Sequence, residues 1–257
     1  MRTKSFTIIL LAALIVTLAA YPNIRNAEAN FILQKPDRAS QMLTEANRPK
    51  IDQARRYLVL GFCHVNLREY EKAIECFKEA IRLKPDYAIV YFNLGLLYTE
   101  RLKQYQKAIE YLNEAIRLNQ KNADAHAVLG DAYFGLKQYK AAIRCYKESL
   151  ITRPDYARVH FNLGVTYSRI AQFDKAIESF KEAIRINPKH ATALSFLGIS
   201  YSNQGQKAPA ADCFYRAGVI FIEQGNNKAA LAAYDSLKYA ENKQLEHKLY
   251  QKLYPKE

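Results

Sequence analysis

Four cysteines, five histidines and two neighbouring aspartates are the side chains whose chemistry invites a catalytic or metal-binding reading. Cys76, Cys145 and Cys213 occupy one recurring position and are separated by intervening helices, beyond the roughly 4.4–6.8 Å Cα separation that a disulfide needs. Cys63 and Cys76 are the one pair that can bridge; left unbridged, they are partly buried thiols. There is no Cys-x-x-Cys motif, so zinc, thioredoxin-like and haem-attachment chemistry have no support. His126 and His160 lie 34 residues apart at an aromatic position with no third ligand beside them, and core packing explains them. His64 fills the position that other copies give to Tyr. No His-Glu-x-x-His, Gly-x-Ser-x-Gly or glycine-rich phosphate loop occurs. Asp124 and Asp131, two helical turns or about 10.5 Å apart, have a glycosidase-like spacing. Arg158 and Arg169, one unit further on, account for them more simply as ion-pair partners. These residues therefore point to no catalytic centre, no metal and no cofactor, and the chain does not read as an enzyme.

What positions them is a repeat. Gly61, Gly95, Gly130, Gly164 and Gly198 are 34, 35, 34 and 34 residues apart, each directly after a Leu. Three residues later stand His64, Tyr98, Tyr133, Tyr167 and Tyr201. Ala73, Ala108, Ala142, Ala176 and Ala210 follow, then Phe77, Leu112, Tyr146, Phe180 and Phe214, then Ala80, Ala115, Ser149, Ala183 and Ala217. Pro85, Pro154 and Pro188 close three of the units. Within one unit Ala73, Ile74, Phe77, Ala80 and Ile81 recur at helical spacing among Lys and Glu, so each unit holds two amphipathic helices. Small residues at the Gly and Ala positions let helices approach closely, and the aromatics fill the space between pairs. One pair cannot bury its own apolar face, so the pairs must stack on their neighbours.

This pattern resembles the tetratricopeptide repeat family over residues 54 to about 222. The resemblance implies an all-α fold, a right-handed superhelical solenoid of helix-turn-helix repeats. Five repeats are expected at 54–87, 88–122, 123–156, 157–190 and 191–222, with an insertion near Leu102 lengthening one turn. Gly218, Phe221, Ala230 and Tyr234 repeat the same spacings, so residues 223–257 read as a partial sixth repeat and a capping helix with the stripe Leu245, Leu249 and Leu253. Residues 30–53 read as a leader or N-terminal cap.

The chain begins with Arg2 and Lys4, an uncharged run over residues 6–21, and Ala27-Glu28-Ala29. These are the three parts of a secretory signal peptide, residues 1–29, with an uncleaved anchor as the alternative because the run is short of the roughly 20 residues that span a bilayer. Either reading places the remainder outside the cytoplasm, periplasmic or secreted, and membrane contact is expected only through that segment. Of 257 residues 49% are hydrophobic, 25% charged and only 17 are Gly or Pro, which excludes general disorder and turn-rich β architecture. The formal net charge of +13 is spread thinly among helices with no long basic run. It reads either as solvated helix faces or as attraction to an acidic partner or surface. Export argues against nucleic acid.

The remaining candidate is a surface. The resemblance implies that the first helix of each repeat lines a concave face where partner peptides bind. Carried over, that face presents Arg55, Leu58, Phe62, Phe92, Asn93 and Leu96, then Asp124, Val128 and Asp131. Further along come Arg158, Phe161, Asn162, Val165 and Arg169, and finally Phe196, Ile199 and Asn203. Asn93 and Asn162 precede Leu-Gly, where exposed amides would hold a peptide backbone. The Lys/Asn/Arg clamp with which tetratricopeptide co-chaperones grip a C-terminal carboxylate is absent from every frame. The resulting expectation is an exported scaffold binding a protein or peptide segment, in envelope assembly or secretion. Alternatives are a self-associating structural adaptor, a basic envelope-surface attachment protein, and a face partly covered by the chain's own N-terminal segment.

Overall fold

The computed structural model describes residues 50–254. The expected signal segment and nearly all of the expected leader, with its helix candidate Arg38 to Ala46, lie outside the described residues. Those described form two compact units, one ending at Ala132 and one beginning at Tyr133, so the division falls inside a helix. Twelve α-helices and no strand occur among the described residues.

Five helices carry the Leu-Gly signature: α1 (Lys50–Asn66), α3 (Ala88–Glu100), α5 (Ala123–Gly135), α7 (Ala157–Arg169) and α9 (Ala191–Asn203). Between and after them come α2 (Tyr70–Leu83), α4 (Tyr105–Leu118), α6 (Tyr139–Thr152), α8 (Phe173–Ile186) and α10 (Lys207–Glu223). The chain closes with α11 (Asn227–Tyr239) and α12 (Lys243–Leu253). Helix α1 starts before the expected unit boundary because nothing between Pro49 and Gln53 breaks a helix. Helix α10 has 17 residues where α2, α4, α6 and α8 have 14. The turn after α3 holds four residues, one more than its counterparts, at the insertion around Leu102.

The turns share one geometry. The second residue before α2, α4, α6, α8, α10, α11 and α12 is left-handed: Arg68, Lys103, Lys137, Ala171, Gly205, Gly225 and Glu241, with φ from 55° to 75°. In six of these turns the next backbone N–H donates to the carbonyl of the aromatic position, as in Glu69 to His64, Gln172 to Tyr167 and Asn226 to Phe221. In five of the six this is the six-to-one bond of a Schellman ending, which reverses the chain in three residues, and after α3 the extra residue stretches it by one, from Gln104 to Tyr98.

In the first unit α1 packs on α2, α2 on α3, and α3 on α4. A β-carbon on Gly61 would strike the Phe77 ring, and one on Gly95 would strike Leu112. The small residue is the space into which the facing side chain fits. Phe77, Ala73 and Ala80 are fully buried while Lys72, Glu75 and Lys78 are exposed, so α2 buries one stripe and solvates the other.

In the second unit the contacts run in series from α6 to α11. Gly164 faces Phe180 and Gly198 faces Phe214 in the same way. At the C-terminal end the register departs from the sequence expectation. Gly218 is met by Leu249 of α12, 2.6 Å from a built β-carbon, and not by Tyr234, which the spacing placed there. Leu249 is completely buried with Leu237, Phe214 and Ala210, and Leu245 and Leu253 pack around them. Tyr234 turns aside to contact Tyr250, with ring centroids 6.0 Å apart.

The histidines expected in the core are half-buried and do another job. Nε2 of His160 donates to the carbonyl of Pro154 at 2.7 Å, and that of His126 donates to the carbonyl of Gln120 at 3.1 Å. Tyr91 uses its hydroxyl on the Pro85 carbonyl in the same position. A polar ring there ties α3, α5 and α7 to the turn that precedes each, whereas α9 has the buried Leu194 at that position. A plain core side chain would leave those carbonyls to water.

Candidate functional site: the inner faces of the first helices

Cysteine chemistry is weak among the described residues. All four cysteines are unbridged. Burial and the neighbouring Cys76 push the Cys63 thiol up, and burial pushes Cys145 and Cys213 to about 11, so none is a ready nucleophile. No group of three His, Cys, Asp or Glu among the described residues can hold a metal ion. No described helix is long and apolar enough to cross a membrane.

In the first unit the expected binding residues are unevenly presented. Arg55 is exposed, and Phe62, Leu96, Asp124 and Asp131 are half-buried. Phe62 rests edge-on against Phe77 with centroids 5.8 Å apart. Leu58, Phe92 and Val128 are buried, and so is Asn93, at 4% exposure. The exposed amide expected at Asn93 is therefore corrected: its Nδ2 donates to the Ile89 carbonyl at 2.6 Å, one turn back on α3. That bond turns the amide back onto its own helix, the local side-chain-to-backbone pairing by which Asn competes with helical hydrogen bonds.

The second unit brings its residues together. Phe161 of α7 and Phe196 of α9 are both half-buried and stand perpendicular at 5.6 Å. Beneath them lies the fully buried Phe180, 5.9 Å from each. The ring of His190 lies against Phe161, tilted by 32° with centroids 5.0 Å apart. Next to this shelf Ile199 is 44% exposed, an unusual place for a branched apolar side chain. Asn162 and Val165 are half-buried, and Arg169 and Asn203 are exposed. Asn203 donates to the Ile199 carbonyl at 2.9 Å, leaving its Oδ1 to accept. The Arg158 guanidinium lies over the Tyr156 ring and donates to its hydroxyl at 3.2 Å. Aromatic faces, an exposed aliphatic side chain, amides and two arginines are the groups that take an extended segment: apolar pockets for side chains and polar groups for the backbone.

His190 was missed in the sequence. Its Nδ1 accepts the Ala193 N–H at 3.2 Å and so caps α9, while burial pulls its pKa below the ordinary histidine value. The equivalent residue before α5 is Asn122, an ordinary cap that bonds the Ala125 N–H at 3.0 Å, and that equivalence is the signal that could have found it.

Comparison with known proteins agrees with this architecture. Models of one family match in tandem, described as TPR repeat over residues 67–100 and as tetratricopeptide repeat over 88–122, 122–189, 166–217 and 212–240. A search of curated proteins finds no match. Among solved structures, MamA is 25% identical with a TM-score of 0.62 over 64% of this chain and 96% of its own. YrrB, described as a TPR protein with an unusual peptide-binding site, is 22% identical with a TM-score of 0.58 over 70% of this chain and 90% of its own. PilF of Pseudomonas aeruginosa is 18% identical with a TM-score of 0.57, over 79% and 99%. The repeated Leu-Gly helices, their Schellman turns and these matches lead to one assignment: the chain belongs to the tetratricopeptide repeat family.

Proposed function

We propose that this interaction scaffold, a non-catalytic protein as is typical of its family, holds a segment of a partner protein against the inner face of its second unit. The observation that carries the reading is the shelf of Phe161 and Phe196 over Phe180, with Ile199 left 44% exposed beside it. Covering the exposed part of Ile199 contributes about 1 kcal/mol, since more than half of the side chain is already buried. Arg158 and Arg169 favour a segment with acidic residues near its anchors. The basic start, the apolar run over residues 6–21 and Ala27-Glu28-Ala29 support export, with service in the cell envelope or in secretion.

The test is site-specific photo-crosslinking in intact cells, with the reactive residue at position 199 or at position 151. Ile151, on α6, is 73% exposed and serves as an apolar control outside the shelf. A discrete adduct formed from 199 and absent from 151 supports the reading. Equal adducts from both positions would remove it.

A further inference from the structure

A cavity of about 240 Å³ opens in the second unit, lined by residues of α8, α9 and α10. Ile184, Leu194 and Leu197 form its apolar floor, and Leu194 is fully buried. On α9 the cavity side carries Leu194, Leu197 and Tyr201, whereas the inner face carries Phe196, Ile199 and Asn203. At about 100° per residue these two sets lie on opposite sides of the helix. The cavity is therefore separate from the aromatic shelf.

Departures from the repeat open it and set its charge. Lys107 and Lys175 stand over Tyr98 and Tyr167, each 5.7 Å from the ring centroid. The corresponding residue in the last pair is Pro209, which lines the cavity, and the cation over Tyr201 is Lys181 of the preceding unit, at 5.8 Å. In the other pairs one further position holds Glu79, Glu114, Glu148 and Glu182, of which Glu79, Glu114 and Glu182 each bind an Arg three residues on. In the last pair that position holds Arg216, at the cavity wall. Its one ion pair, with Asp212 at 3.5 Å, is exposed on both sides, and such pairs hold their partners weakly. Lys181 has no carboxylate partner among the described residues. The carboxylate of the other pairs has thus been replaced by a cation beside a second cation, and with Asp212 as the one carboxylate in the lining, the mouth of this cavity, the size of one large side chain, keeps a net positive charge.

We propose that this cavity is a second docking site, which seats one aliphatic or aromatic side chain of an acidic protein segment while Lys181 and Arg216 take the flanking carboxylates. The volume accepts a side chain of Leu or Phe size, and the two cations at the rim require acidic residues immediately beside that anchor. The site stands independently of the inner-face reading and allows two segments to be held at once.

Titration of the isotope-labelled full chain with the blocked pentapeptide EDLDE, followed by amide NMR, tests it. Saturable shifts are expected at Leu197, Tyr201, Cys213 and Arg216. EDGDE, which lacks the anchor, and KKLKK, which reverses the charge, should bind more weakly by about tenfold or more. Arg216→Glu restores the carboxylate of the other pairs at an exposed position and should weaken EDLDE to the same extent with the helical signal unchanged. Lys181→Glu is the second variant and carries the same expectation if the first does not fold. The proposal is overturned by absence of shifts at millimolar EDLDE, by equal binding of KKLKK, by indifference to both variants, or by shifts confined to Phe161 and Ile199.

Discussion

A β-carbon built on Gly164 lies 2.7 Å from both Cδ1 and Cε1 of Phe180, closer than two carbon atoms can approach. Phe180 is completely buried and also supports Phe161 and Phe196, so the packing of one repeat and the aromatic shelf depend on the same ring. Gly164→Val should therefore destabilise the protein by about 1–3 kcal/mol or more through overpacking. Lys175→Ala, at an exposed position one helix on, should stay within about 0.5 kcal/mol. Thermal unfolding of the two variants checks this, and equal midpoints would contradict the helix pairing.

The turn residues give a prediction of the opposite sign. Ala171 sits at φ 56°, where Gly205 and Gly225 serve the same turn elsewhere. A β-carbon in the left-handed region costs roughly 1–2 kcal/mol, so Ala171→Gly should stabilise by about 1 kcal/mol and Gly205→Ala should destabilise by a similar amount. Denaturant midpoints at constant slope would measure both.

His190 makes stability depend on pH. Its Nδ1 caps α9 only when unprotonated, and burial lowers its pKa from the usual 6.5. As pH falls below about 6.5 the unfolded chain takes up the proton first, so the stabilisation is complete above that point and is lost as pH falls through the lower folded-state value. His190→Asn keeps a capping oxygen without the titration. Between pH 7.5 and pH 5 the parent should lose stability relative to this variant, and parallel profiles would exclude the cap.

Export has a direct chemical readout. N-terminal sequencing of the protein purified from its native host should begin at Asn30. A chain that begins at Met1 and is extracted only with detergent would establish the anchor reading.

The helices were legible because Gly and large apolar residues recur in register: Gly164 pairs with Phe180, as Gly61 does with Phe77 and Gly198 with Phe214. The ends were less so. Tyr234 keeps the same spacing from Gly218 that Phe180 keeps from Gly164, yet Leu249 of the final helix fills the space and Tyr234 packs aside against Tyr250. The left-handed turn positions were invisible where they hold Arg68, Lys103, Lys137, Ala171 and Glu241, none of them a turn-forming residue. On the candidate surface Phe161 and Ile199 were identifiable from their slots. Asn93 was misread because its burial and its bond to Ile89 depend on neighbouring side chains that a periodicity does not reveal. His126 and His160 were misread for the same reason: their slot is aromatic, and only geometry shows the ring nitrogen on a turn carbonyl.

Calorimetric titration of the partner segment captured at position 199, prepared as a peptide, tests the central claim most directly. Ile199→Asp should weaken it by about tenfold or more, equivalent to about 1.4 kcal/mol, with the unfolding midpoint unchanged, whereas Ile151→Asp should leave it intact. Equal affinities for the parent and Ile199→Asp would contradict a binding role for the inner face of the second unit.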